Sequence, residues 1–177
     1  MNNIWRNDMS RLIILIFSAL FALTACEPQG PVLGADGKPL PRVYRITNAN
    51  KGKIQIRMRD SINALRTTAG VPELRLDAKL TAAAATHALD MSVQNRPWHF
   101  GSDGSSPLDR VVRTGYAGTM RGENISETYE SELETLGAWM GVEGTRNVIV
   151  DPKATDMGFA WHQDESGKLW WVLVTGG

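Results

Sequence analysis

The sequence predicts an α+β domain in which helices cover a sheet. Three observations carry that expectation. Apolar residues recur at helical spacing through residues 54–91, cap signals mark two further helices, and two apolar runs around a glycine-bearing turn close the chain. No internal repeat is present, so one domain with one sheet is expected.

Residues 1–26 are expected to stand outside that fold. Arg11 precedes the apolar run Leu12–Leu23, whose twelve residues fall short of the roughly 20 a membrane-spanning helix needs. The length matches the core of a secretory signal peptide, about 7–15 residues. The run ends in Leu23-Thr24-Ala25-Cys26, which resembles the lipobox of bacterial lipoproteins. That resemblance implies cleavage before Cys26, acylation of Cys26 (palmitate included) and a mature chain held on a membrane by lipid. The alternative is an ordinary signal peptide with a chance cysteine. Glu27 stands where an aspartate would resemble an inner-membrane retention signal, which points to the outer membrane, facing the periplasm. Met9 could serve as the start, because residues 1–8 add little.

Cys26 is the only cysteine. Once it is lipidated no disulfide can form, and stability must come from apolar burial although the compartment would permit disulfides. Without Arg6, Arg11 and Asp8 of the targeting segment the chain carries 17 basic and 18 acidic residues. No basic stripe is present, so nothing supports nucleic acid as a partner.

Residues 27–52 hold four prolines and four glycines with no helical or strand period. They read as a tether that spaces the domain from the membrane, with "RVYRIT" as an alternative edge strand. The domain is then expected over 53–177. Ile54, Met58, Ile62, Leu65 and Ala69 trace the apolar side of a first helix, stopped by Gly70 and Pro72. Asp77 can cap a second, on which Leu76, Leu80, Ala84, His87 and Met91 repeat the spacing; Asn95 and Pro97 stop it. Ser106-Pro107-Leu108-Asp109 is a helix start, with serine as cap, proline in the first turn and an acid three residues after the cap. Ser131-Glu132-Leu133-Glu134 repeats the pattern, and Leu133, Leu136, Gly137 and Met140 are expected to face inward. At the end, "MGFAWHQ" and "LWWVLV" flank "DESGK", a hairpin signal. The second run has no polar alternation, so it is expected to be a central strand covered on both faces.

Three histidines are available for chemistry. His87 lies on the apolar line of its helix and reads as a hydrogen-bonded core residue, and His162 as a surface residue near the hairpin. His99 differs, because it follows Pro97-Trp98 and precedes "FGSDGSS", whose small residues are expected to leave room around the ring. In "RGENIS", Gly122 frees the backbone before Glu123, and Asn124 and Ser126 are placed to bond locally. A carboxylate held there is a plausible partner for an imidazole.

From about Asp60 to Gly177 these pieces, in this order, resemble the bacterial branch of the CAP superfamily, also called SCP-like or pathogenesis-related-1-like domains. The matching stretches are "INALRTTAGVPELRLDAKLTAAAATHALDM", "HFGSDGSSPLDRVVRTGY", "GENI", "AWM", "NVIVDPKATDMGFA" and "WWVLVTGG". The resemblance implies a single three-layer α-β-α sandwich of the CAP type, with His99 and Glu123 lining a shallow central cavity. Members often complete a tetrad with a second acid and a second histidine. Here those positions hold Val142 and Thr145, and neighbouring Glu143 and Arg146 do not match the pattern.

That departure limits the chemistry. A zinc centre takes about three protein ligands even when catalytic, so His99 and Glu123 would hold a divalent metal only weakly, with waters filling the rest, and no other cofactor is implied. A Ser/His/Glu triad would need Ser102, Ser105 or Ser106, of which Ser106 is already a cap. The expected function is therefore a lipid-anchored envelope protein binding a small ligand, lipid or cell-wall component; sterol and lipid binding are associated with the family. The alternatives are a histidine- or metal-dependent hydrolase of envelope or peptide substrates and a structural envelope protein with a vestigial cavity.

Overall fold

The computed structural model describes residues 44–177. The signal segment, Cys26 and most of the expected tether lie outside the described residues. Helix α1 (Asn48–Thr68) leads into a short strand β1 (Arg75–Leu76), helix α2 (Ala78–Gln94) and helix α3 (Pro107–Arg113). Strand β2 (Met120–Glu127), helices α4 (Glu132–Gly141) and α5 (Glu143–Ile149), and the hairpin β3 (Asp156–Gln163) and β4 (Leu169–Gly176) complete the chain.

The four strands lie in the order β1-β3-β4-β2, with β1 parallel to β3 and both β3 and β2 antiparallel to β4. All eight residues of β4 are buried, as its unbroken apolar run predicts. Successive side chains of β4 point to opposite faces. Leu169, Trp171 and Leu173 therefore enter a core with Ile54, Met58 and Ile62 of α1, Leu136 and Trp139 of α4 and Ile149 of α5. Trp170, Val172 and Val174 enter a second core with Leu80, Ala84 and Met91 of α2 and Val111 of α3. Helix, sheet and helix thus form three layers.

Caps fall where the sequence places them. The Asp77 carboxylate accepts from the Lys79 and Leu80 amides, and Ser106 with Asp109 and Ser131 with Glu134 form reciprocal capping boxes. Other expectations shift. α1 begins at Asn48, so residues 48–52, assigned to the tether, belong to the helix. Residues 44–47 form no strand, although the Gln163 side chain bonds both the Tyr44 carbonyl and the Ile46 amide. Leu76 belongs to β1 rather than α2.

α4 buries Glu132, Thr135, Leu136 and Trp139, while Leu133 and Gly137 face out. The Trp139 ring, packed edge-on against Phe159, fixes that face. On α1, Arg66 is buried and Ala69 is exposed. Its guanidinium donates to the carbonyls of Pro72, Ile149, Asp151 and Ala154, tying α1 to the loops after it and after α5.

Candidate functional site

The loop after α2 is tied at many points. Asn95 ends the helix in the left-handed region, φ 51°, a conformation asparagine tolerates. Gln94 Oε1 accepts from the Trp98 indole (2.8 Å), and Gln94 Nε2 donates to the Phe100 carbonyl (3.2 Å). Asp90, one turn earlier on α2, accepts from the Ser102 amide (2.7 Å) and hydroxyl (2.5 Å). Burial alone would raise the Asp90 pKa, and the Ser102 hydrogen bonds outweigh it and hold it below the usual carboxylate range.

The glycines serve this folding-back rather than leaving room around the ring. A Cβ on Gly101 would stand 2.6 Å from Ser105 Oγ and 2.7 Å from Asp103 Oδ1. Gly104 turns at φ 78° and donates to the Gly101 carbonyl (2.9 Å). His99 is presented at the mouth of this knot, its side chain 50% exposed.

Glu123 arrives from the sheet. It stands opposite Val174 of β4, just past a register shift between Met120 and Gly122, and it shares a face of β2 with Ile125, toward α2 and α3. Its side chain is 2% exposed. His99 Nδ1 lies 2.9 Å from Glu123 Oε1. Because a carboxylate accepts, Nδ1 carries the hydrogen, and Nε2 is left as the free ring nitrogen. The two residues singled out in the sequence therefore meet.

Two further groups converge on Glu123. Arg110 of α3, 5% exposed, donates from one guanidinium nitrogen to Glu123 Oε2 (2.8 Å) and from the other to the Ser105 carbonyl (3.1 Å). His87 is fully buried and places Nε2 2.9 Å from the Trp98 carbonyl and 3.8 Å from Glu123 Oε1. A carbonyl can only accept, so His87 donates from Nε2 and its Nδ1 is left buried without a partner among the described residues. Burial pushes the His87 pKa down and outweighs the opposing pull of Glu123, with Arg110 lowering it further. His87 is the hydrogen-bonded core histidine its helix position suggests, and the peptide it grips directly precedes His99.

Arg110 escaped the sequence reading. The available signal was an arginine one turn into a short capped helix, beside Val111 and Val112, with no acid in that turn facing it. A buried cation implies a buried counter-charge from elsewhere in the chain.

Other expected supports fall elsewhere. Asn124 does not bond locally; it points away from Glu123 and donates to the Thr145 carbonyl (2.8 Å). Ser126 Oγ is buried without a partner among the described residues. The Thr145 hydroxyl donates to the Trp139 carbonyl (2.6 Å), Val142 is exposed, and Arg146 donates to the Met140 carbonyl. Ser102 bonds Asp90 and Ser106 bonds Asp109, so neither hydroxyl addresses His99. His162 is half-buried, 3.5 Å from Asp164, whose carboxylate also takes Ser92 and Trp170; this cluster ties the hairpin to α2.

The residues do not fit a zinc centre. Glu123 spends one oxygen on His99 and the other on a guanidinium, so the pair does not offer two ligands to one ion. No group of three His, Cys, Asp or Glu suited to a metal occurs among the described residues. What the arrangement supplies is an oriented imidazole with one free nitrogen beside exposed aromatic surface. Its chain neighbours Trp98 and Phe100 pack on one another with ring centroids 5.6 Å apart, and the Arg96 guanidinium lies 3.2 Å from the centre of the Trp98 ring.

A three-layer α-β-α sandwich with an imidazole and a buried glutamate meeting above one sheet edge is the arrangement of a CAP-type domain. The model of the CAP, or cysteine-rich secretory protein, family matches residues 59–175, and the chain belongs to that family. An uncharacterised Bacillus subtilis protein, YkwD, is 32% identical over 108 residues, which cover 61% of this chain and 41% of that protein. The chain thus spans well under half the length of this relative. Among solved structures, an extracellular SCP-domain protein from Bacillus anthracis superposes with TM-score 0.64 at 22% identity, covering 84% of this chain and 45% of that one. An outer surface protein from Borrelia burgdorferi gives TM-score 0.62 at 15% identity, covering 76% and 98%.

Proposed function

We propose that this chain is a lipid-anchored protein of the cell envelope whose CAP domain binds a small ligand, lipid or cell-wall component at His99. One observation carries the binding reading: the imidazole is half exposed while the carboxylate that orients it is 2% exposed. Orienting a solvent-facing ring through a buried, charge-paired glutamate makes sense where that ring meets something from outside. Trp98 and Phe100 add apolar area beside it. Binding is favoured over hydrolysis because the hydroxyls of Ser102, Ser105 and Ser106 are spent on Asp90, Asp103 and Asp109, and none is offered to the ring. The anchor and the outer-membrane location rest on Leu23–Cys26 and Glu27. The extracellular and outer-surface descriptions of the two structural neighbours agree with an envelope setting.

The test is a melting-temperature shift of the full chain in detergent, with peptidoglycan fragments in one arm and a short-chain phospholipid in the other. A shift in either arm that vanishes in His99→Ala, with ligand-free melting unchanged, supports the reading. No shift in both arms sinks it and favours a structural protein. Turnover on a peptide and ester panel, lost in both His99→Ala and Glu123→Ala, would establish a hydrolase instead. Radiolabelled palmitate should enter the wild-type chain and not Cys26→Ser; label persisting in that variant removes the anchor.

A further inference from the structure

The sheet is left unfinished along one margin. β1 pairs with only Asp156 and Met157 of β3 before the chain turns into α2. From Phe159 to Gln163 the outer margin of β3 has no strand beside it among the described residues. Peptide groups alternate sides along an antiparallel strand. The Met157 carbonyl accepts from the Asp77 amide on the outer side (2.8 Å), so the peptide groups of Phe159, Trp161 and Gln163 face outward too.

The ends of this margin carry side chains in place of a strand. Gln55 Nε2 donates to the Phe159 carbonyl (2.9 Å). At the other end the Gln163 amide group holds Tyr44 and Ile46. Between them the Trp161 amide and carbonyl have no hydrogen-bond partner among the described residues. A groove of about 530 Å³ runs over this stretch. Its α2 wall is built of Ala78, Thr81, Ala82 and Ala85, and its α1 wall offers Lys51; among the described residues no carboxylate lines it.

The geometry points to this groove as the docking site of an extended polypeptide segment from a partner protein, added as a fifth strand against Phe159–Gln163. A backbone supplies a donor and an acceptor at strand spacing, which is what Trp161 lacks. A lipid tail would cover the alanines and leave those groups unpaired. A second copy of this chain is disfavoured because the margin is sunk between two helices that block edge-to-edge approach. The span accepts about five residues at roughly 3.3 Å each. The short side chains of that wall leave room for medium-sized apolar side chains, and Lys51 favours a segment bearing an acidic residue.

The experiment titrates the ¹⁵N-labelled full chain in detergent micelles with the peptide acetyl-TVEVTV-amide. A second arm uses the same peptide N-methylated at alternate residues. The expected result is saturable movement of the Trp161 and Gln163 amide resonances. Affinity should fall about tenfold or more for the methylated peptide, the effect of about one lost hydrogen bond. It should fall as far in Ala82→Arg, an exposed position whose side chain would fill the groove, with melting unchanged; Ala85→Arg serves if that variant unfolds. No movement at millimolar peptide overturns the proposal, as does equal binding of the methylated peptide. Slow exchange of the Trp161 amide in the peptide-free protein also overturns it, because another part of the chain or a second copy would then hold the margin.

Discussion

Arg110 and Glu123 are each almost wholly buried, and each is the other's counter-charge. Truncating one partner of such a pair strands the other, which costs about 3–5 kcal/mol, whereas replacing both by neutral groups of similar size costs far less. Arg110→Met and Glu123→Gln should therefore each destabilise the domain by that order, and the double variant by less than their sum. Urea unfolding of the three proteins gives the coupling directly, and additive costs would show that the ion pair is not what holds the two residues. His87 supplies a second prediction. Burial depresses its pKa below the ordinary value of 6.5, so the unfolded chain takes up a proton in a range where the folded one does not. Stability should fall as pH drops from about 6.5 toward the depressed folded value and level off below it. Glu123 at 3.8 Å pulls the other way without overcoming burial. His87→Gln, which keeps a donor for the Trp98 carbonyl, should flatten denaturant midpoints between about pH 7 and 5. A variant whose midpoints track the wild type through that window would remove His87 as the cause.

The backbone of α2 rests directly on β3 at Gly158, which has no side chain to hold them apart. A Cβ there would stand 2.1 Å from the Leu80 carbonyl carbon and 2.2 Å from the Thr81 amide nitrogen, both backbone atoms that cannot swing aside. Gly158→Ala must push α2 outward, and with it Asp90 and His87, which anchor the loop that bears His99. The expected cost is about 1–3 kcal/mol or more from overpacking. The Trp98 and Phe100 amide resonances should move as well; a variant with wild-type stability and an unchanged loop spectrum would contradict this coupling. The same packing explains what the sequence revealed and what it hid. Local signals were legible: the Asp77 and Ser106 caps, the hairpin and the unpolar run of β4; the meeting of His99 with Glu123, 24 residues apart, was an expectation that the family resemblance supplied. Long-range decisions were not legible. The face of α4 is set by where Trp139 finds Phe159, and Arg66 is buried because carbonyls from two separate segments converge on it. Arg110 reads as a surface residue until Glu123, 13 residues on, is brought beneath it. Helical spacing reports only that one stripe is apolar, and it is silent about a cation whose partner arrives from another element.

β4 makes the two cores interdependent. Leu173 and Val172 are adjacent, fully buried, and point into different layers, the first toward α1 and α4, the second toward α2 and α3. The described residues contain no cysteine, so no covalent link holds either layer to the sheet. The first core is aromatic, with Phe159 stacked on Trp171 at 5.6 Å and Trp161 and Trp139 close by. The second sets alanines, valines, Leu80 and Met91 around the single ring of Trp170. Cores so different in packing could melt separately if each had its own strand, but a shared central strand forbids it: losing either layer exposes half of β4. Leu173→Ala should cost about 2–5 kcal/mol, and Val172→Ala less because fewer atoms are removed. Both should lower a single, shared transition rather than split it. Tryptophan fluorescence, to which Trp139, Trp161 and Trp171 of the aromatic layer contribute, and far-ultraviolet dichroism, which includes α2, weight the two sides of the sheet differently. Coincident midpoints from the two probes in wild type and in both variants are the expected outcome. In Val172→Ala, dichroism falling at lower denaturant than fluorescence would mean that α2 can leave while the aromatic layer stays folded, and His99 would then sit on an independently mobile face.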